Sequence, residues 1–224
     1  MCRVPHRCAH QTRYVLPSAL LLLPAALLLL LGLALTNVIV LAQPGTGGKG
    51  DYYPLLPGTR WDFRVKVGEE VKGSITEVVA AIETINNVSL ARVETQVDGK
   101  VLNSEHLRVA KDGVYRHRFG GLEIKVPVPV LRYPVKANDS WEYTTTVGPQ
   151  QIKGKVTTRF EEVQVPAGKF KALLTEIHGE AEGQKVRANI WFAEGVGKVK
   201  QTLDFGAVQI SLELEKFTLG RAQH

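Results

Sequence analysis

Beyond residue 42 the chain carries four histidines, His106, His117, His178 and His224, and none sits in a pattern that commits it to chemistry. His117 lies between Arg116 and Arg118, whose charges disfavour both a metal ion and a protonated imidazole. With Lys111 these arginines form a small basic patch, expected on a solvated strand face. His178-Gly179-Glu180 matches the first half of a zinc deaminase signature. The second half needs cysteines, and both cysteines, Cys2 and Cys8, lie at the N-terminus, so His178 is expected merely to end a strand. No HExxH, G-x-S-x-G or EF-hand loop occurs. Thiol catalysis, cysteine zinc sites and iron–sulfur clusters are excluded after residue 42. Carboxylates are plentiful (Glu161, Glu162, Glu180, Glu182, Glu213, Glu215), which keeps a carboxylate-dependent hydrolase as an alternative, but no spacing selects two of them. The expectation is a protein that is not an enzyme, with no catalytic, cofactor-binding or metal-binding residues assigned and no cofactor required.

The aromatics are more informative because they repeat. Tyr53-Pro54 precedes Trp61-Asp62-Phe63, and Tyr133-Pro134 precedes Trp141-Glu142-Tyr143. Tryptophan follows tyrosine by eight residues in both copies, which lie 80 residues apart. The echo continues in order: Lys72-Gly73 matches Lys153-Gly154, Ala91 matches Ala172, and residues 110–114 match 193–196. Serial matches of this kind indicate an internal duplication, with half-repeats of about 52–121 and 132–217. Tyr53, Pro54, Trp61, Phe63, Tyr133, Pro134, Trp141 and Tyr143 are therefore the candidate core of the repeated motif. Tryptophans at equivalent places either seal a core or line a ligand cavity in a barrel.

The elements that hold these residues follow from periodicity. Trp61, Phe63, Val65 and Val67 alternate with polar residues, as do Val186, Ala188, Ile190 and Phe192, and Val208, Ile210, Leu212 and Leu214. A period of two describes strands with one face on a core. Turn signals separate them at Asn86-Asn87, Asp98-Gly99, Asp112-Gly113, Gly120-Gly121, Pro166-Ala167-Gly168 and Glu194-Gly195. Asp98-Gly99 is the strongest, since a type I′ hairpin needs positive φ at both central residues. Thr76 to Ile85 has the alanine and glutamate of a helix, but its β-branched residues and flanking hairpin signals make it a strand. The fold class expected is all-β: an antiparallel barrel or sandwich of roughly a dozen strands from two repeated β-meanders, spanning 52–219.

The N-terminus supplies an address. Arg3, Arg7 and Arg13 precede a run from Val15 to Ala42 without a charged residue, its centre almost pure leucine and alanine. A basic segment before an apolar one is a signal peptide or, given this length, an uncleaved membrane anchor, so residues 1–42 form one N-terminal apolar helix. The arginines stay on the cytoplasmic side and the rest is exported. Residues 43–51 form a Gly-rich linker; its Lys49 is followed by Gly50, not Ser or Thr, which removes a phosphate loop. The chain has 28 basic and 22 acidic residues, and 25 basic remain once the first 42 residues are set aside. That balance, without a basic run carrying interleaved aromatics, gives no reason to expect nucleic acid.

With those residues in view, the chain resembles a loosely defined group of uncharacterised exported bacterial proteins, the TapB-like proteins. The similarity is carried by YYPLLPGTRWDF (52–63), VPAGKF (165–170) and WFAEGVGKVKQ (191–201). It implies an all-β, barrel-like fold and supplies no catalytic residues; the chain lacks the lipid-attachment cysteine of many such lipoproteins. The functional expectation is an exported binding or structural module of the cell envelope, periplasmic, extracellular or anchored through residues 15–42. Its partner is an unspecified envelope component or a small hydrophobic ligand. A carrier holding that ligand inside the barrel is the first alternative.

Overall fold

Alternating sequence makes strands, and strands are nearly all that the described residues contain. The computed structural model describes residues 50–221. The expected helix over 15–42 and most of the linker lie outside them. Among the described residues no helix is long and apolar enough to cross a membrane.

Twelve strands run up and down in chain order: β1 (Arg60–Val67), β2 (Glu70–Ile85), β3 (Val88–Val97), β4 (Lys100–Ala110), β5 (Gly113–Phe119) and β6 (Leu122–Arg132). Then come β7 (Ser140–Val147), β8 (Gln150–Val165), β9 (Gly168–Ala181), β10 (Gln184–Ala193), β11 (Gly197–Asp204) and β12 (Gln209–Thr218). Each pairs with its sequence neighbours, and β1 pairs antiparallel with β12, so the sheet closes into a barrel and a sandwich is excluded. Thr76 to Ile85 lies within β2. Every expected turn falls at a strand junction, Gly113 and Gly168 opening β5 and β9, and Asp98 and Gly99 have φ of 49° and 74°, as the type I′ turn demands. Asn86 and Asn87 repeat that geometry between β2 and β3.

One end of the barrel is packed by aromatics. Trp61 lies between Tyr53 and Phe217, with centroids 6.1 and 6.2 Å away, and Tyr53 reaches Phe192 at 5.5 Å. The chain before β1 is tied down there: Gly195 N–H donates to Asp51 O at 2.7 Å, and Gly58 N–H to Val79 O at 2.8 Å. The long β8–β9 hairpin reaches the same cluster. The β11–β12 ladder runs only from Lys200↔Glu213 to Asp204↔Gln209, and beyond it Ala167 N–H donates to Leu214 O at 2.7 Å. Val163, Val165 and Ala167 thereby join the core.

The wall is thinnest between β6 and β7, where Ile124↔Val147 is the single ladder pair. Pro127 and Pro129 in β6 have no N–H to give. Side chains bridge the seam instead: Val126 N–H donates to Thr145 Oγ1 at 3.1 Å, and Trp141 Nε1 to Pro129 O at 3.3 Å. Trp141 is also covered by the Arg132 guanidinium, 5.0 Å from the ring centroid.

These settings separate the two tryptophans energetically. Trp61→Ala, which empties a fully buried site among other rings, is expected to cost about 3–5 kcal/mol in urea unfolding. Trp141→Ala should cost less, because the flexible Arg132 side chain can settle into the vacated space. Equal losses would mean that both sites are equally rigid.

Candidate functional site

Inside the barrel the alternation carries charge as well as hydrocarbon. Ile75, Glu77 and Val79 share the inward face of β2, and Glu105 and Leu107 that of β4. Arg116 comes inward from β5 and its Nε donates to Glu105 Oε2 at 2.5 Å. A bulge after Arg116 makes His117 the extra residue, so Arg116 and Phe119 both face inward despite their odd spacing. The same device acts in β11. A register shift at Val199 sets Lys198 opposite Phe192 and Gln201 opposite Ile190, and Lys198 Nζ donates to Gln201 Oε1 at 2.7 Å. Glu77, Arg116, Lys198 and Gln201 are at most 1% exposed and Glu105 is 3% exposed.

The electrostatics follow from that burial. Loss of water pushes the Lys198 ammonium down to about 7, against the opposing pull of the Glu77 and Glu105 charges. Burial likewise raises Glu105, a shift that Arg116 and Lys198 oppose. Tyr143 packs nearby, its hydroxyl pushed up to about 12 by burial. Small cavities of about 10 Å³ each border Arg116, one lined by Val128, Thr145 and Ile152, the other by Tyr143, Ile177 and Ile190.

On the outer face an open groove of about 770 Å³ crosses β7 to β11. Two cross-strand rows line it. One runs Glu142, Lys155, His178, Arg187, Asp204, each residue opposite the next in the ladder. The second runs Thr144, Lys153, Glu180, Lys185. Between them lie Tyr143, Gly154, Gly179 and Val186. Glycine at 154 is required: a Cβ there would stand 2.3 Å from Tyr143 Cζ. Lys155 meets Glu142 at 3.7 Å, whereas among the described residues Lys153, Lys185 and Arg187 have no carboxylate in ion-pair range. Some surface cations elsewhere are closely paired, as in Arg60–Asp62 and Arg64–Glu215, both at 2.8 Å.

The residues singled out from sequence are dispersed through this architecture. Tyr53, Pro54, Trp61, Phe63 and Trp141 are buried, Tyr133 is half-buried against the core, and Pro134 is exposed. Tyr143 is half-buried, its ring over Gly154. Burial pushes the Tyr133 hydroxyl up to about 12, helped by the Asp51 charge. The expected basic patch does not hold together, because Arg116 turns into the barrel. His117 is held below the ordinary imidazole value first by burial and then by Arg108, not by the arginines beside it in sequence. His106 bonds Glu83 through Nε2 at 2.9 Å, and that contact lowers Glu83. His178 stands within β9, paired on both sides, rather than at a strand end. His224 lies outside the described residues. Among those described, no group of three or more His, Cys, Asp or Glu is placed to hold a metal. The sequence reading missed the interior charges. Glu77 had a signal, an acid at an inward position of an alternating strand; Lys198 had none, since only the bulge turns it inward.

No family model matches the chain, and no curated protein does. It is similar to three solved bacterial structures. A candidate lipoprotein from Parabacteroides distasonis is 13% identical, with a TM-score of 0.49 over 76% of this chain and 100% of that one. A candidate exported protein with a YmcC-like fold from Bacteroides fragilis is 15% identical, with a TM-score of 0.43 over 74% and 98%. The hypothetical lipoprotein YmcC from Escherichia coli is 10% identical, with a TM-score of 0.34 over 76% and 88%.

The low Lys198 value sets a pH dependence with a definite sign. The folded protein releases this proton near 7, whereas an unfolded lysine holds it to about 10.4. The unfolded state therefore binds more protons in that window, and this group makes stability rise with pH. Glu105 acts oppositely, holding its proton in the folded state as pH climbs above the ordinary glutamate value. Subtracting the unfolding free energy of Lys198→Met from that of the wild type isolates the lysine. The difference should increase from pH 7 to 10, and a flat difference would place the ammonium in contact with water.

Proposed function

We propose that the chain is an exported, non-enzymatic binding module of the cell envelope that meets its ligand in the outer groove over β7–β11. The observation that carries this reading is the filled interior. The two cavities bordering Arg116 hold about 10 Å³ each, room for one water at most, which disfavours a carrier inside the barrel. Glu77 and Glu105 converge as a hydrolase would need, yet both are buried against Arg116 and Lys198 rather than set in an open cleft. The groove offers volume, cations outside ion-pair range of a carboxylate, carboxylates and the edge of Phe205 together.

Export is supported by the three arginines and the uncharged run from Val15 to Ala42. Whether that run is cleaved or anchors the protein, the barrel lies on the far side of the membrane. Duplication is supported by strand order. Trp61 is the second residue of β1 and Trp141 the second of β7, six strands later. The other echoes fall on β2 and β8, on β3 and β9, and at the turns after β4 and β10. The resemblance to the TapB-like proteins accords with export.

A reporter active only outside the cytoplasm, fused after His224, should be active; activity of a cytoplasmic reporter alone would overturn export. For the groove, mass spectrometry of small molecules copurifying with the full chain should identify a ligand that the Lys153→Glu/Lys185→Glu double variant loses while its melting temperature is kept. Retention of the ligand by that variant would move the binding surface elsewhere.

A further inference from the structure

Resting on the groove reading, we propose that the Lys155–His178–Arg187 row is a binding site for one phosphoryl group on the ligand. The three side chains project outward from adjacent strands, in direct register: Lys155 opposite His178, and His178 opposite Arg187. Neighbouring strands lie roughly 4.8 Å apart, so the two cations stand about 10 Å from each other across the imidazole. Lysine and arginine side chains are long enough to lean over His178 and converge on a shared anion. Like charges brought together this way are unfavourable without one. The donor set suits a tetrahedral dianion: a planar guanidinium fork, an ammonium and a ring N–H approach from three directions.

The neighbouring residues limit the site to one group. Glu142 and Asp204 end the row, the first already 3.7 Å from Lys155, so a second anion is repelled at either side. In the parallel row the middle position is Glu180, flanked by Lys153 and Lys185, and this acid occupies the place that His178 leaves open. A continuous polyanion would run onto all three carboxylates, whereas a single phosphoryl group centred over His178 keeps Glu142 and Asp204 on the far sides of its two cations. The half-buried Phe205 borders the same groove and offers apolar surface to the remainder of the ligand.

The test titrates the full chain with inorganic phosphate and glycerol phosphate by calorimetry, with citrate as the carboxylate control. Both phosphates should bind and citrate at least tenfold more weakly. Arg187→Gln and His178→Ala should each weaken phosphate at least tenfold, while Lys185→Gln changes it less than threefold. Glu180→Gln should strengthen binding severalfold by relieving repulsion. A second arm uses vesicles of phosphatidylglycerol against phosphatidylcholine. Selective vesicle binding that needs Arg187 assigns the phosphoryl group to a lipid headgroup; binding of the soluble phosphates alone assigns it to a free metabolite or glycan. No phosphate or vesicle binding, citrate as tight as phosphate, or equal losses at Lys185 and Arg187 would overturn the site. If the copurifying ligand is still lost on charge reversal while phosphate fails to bind, only the phosphoryl assignment falls. If charge reversal leaves that ligand in place, the groove reading itself falls.

Discussion

The Arg116–Glu105 pair at the heart of the barrel is the contact around which the interior is organised. Eight strands enclose about as much space as ordinary side chains fill, and twelve enclose more. This chain fills the excess with its longest side chains, and some are charged. A buried arginine is tolerable only beside a carboxylate, because ions removed from water cost several kcal/mol each unless paired. Glu105 answers Arg116, and Glu77 with Gln201 answers Lys198. Four charged groups from β2, β4, β5 and β11 thus constrain one another across the lumen, and the registers of those strands are bound to the same knot.

Closure of the wall depends on that filling. The β6–β7 seam has one ladder pair and two prolines, so backbone bonding alone holds it weakly. Trp141, Thr145 and Val128 bridge it from within. At the far end the β11–β12 ladder stops early and the β8–β9 turn takes up a backbone bond there. Long strands such as the 16-residue β8 are needed because its end must leave the barrel wall and fold over the core.

The buried charges and small cavities of the interior also bear on where the proposed binding falls. The proposed binding therefore falls on the outer face. Direct cross-strand register there turns residues far apart in sequence into rows. Lys155, His178 and Arg187 become neighbours only because three strands pair without a slip between them. Gly154 contributes by the absence of a side chain, leaving room for the Tyr143 ring that borders both the groove and the interior.

The all-β class, the turns and most inward-facing residues were legible in the sequence, because alternation and Asx-Gly or Gly-Gly pairs are local consequences of strand geometry and positive φ. Trp61 and Phe63 could be assigned to the core from their spacing alone. The same local rules mislead at Arg116 and Lys198. Each neighbours a bulge, and one extra residue in a strand reverses the face of everything beyond it without leaving a mark in composition. Closure of the sheet, the seam at β6–β7 and the rows of the groove depend on pairing between distant segments. Register is set by how side chains from both strands pack, so no single segment encodes it. The sequence by itself determined that strands would form and which residues each would offer; only the tertiary structure decided which offers met.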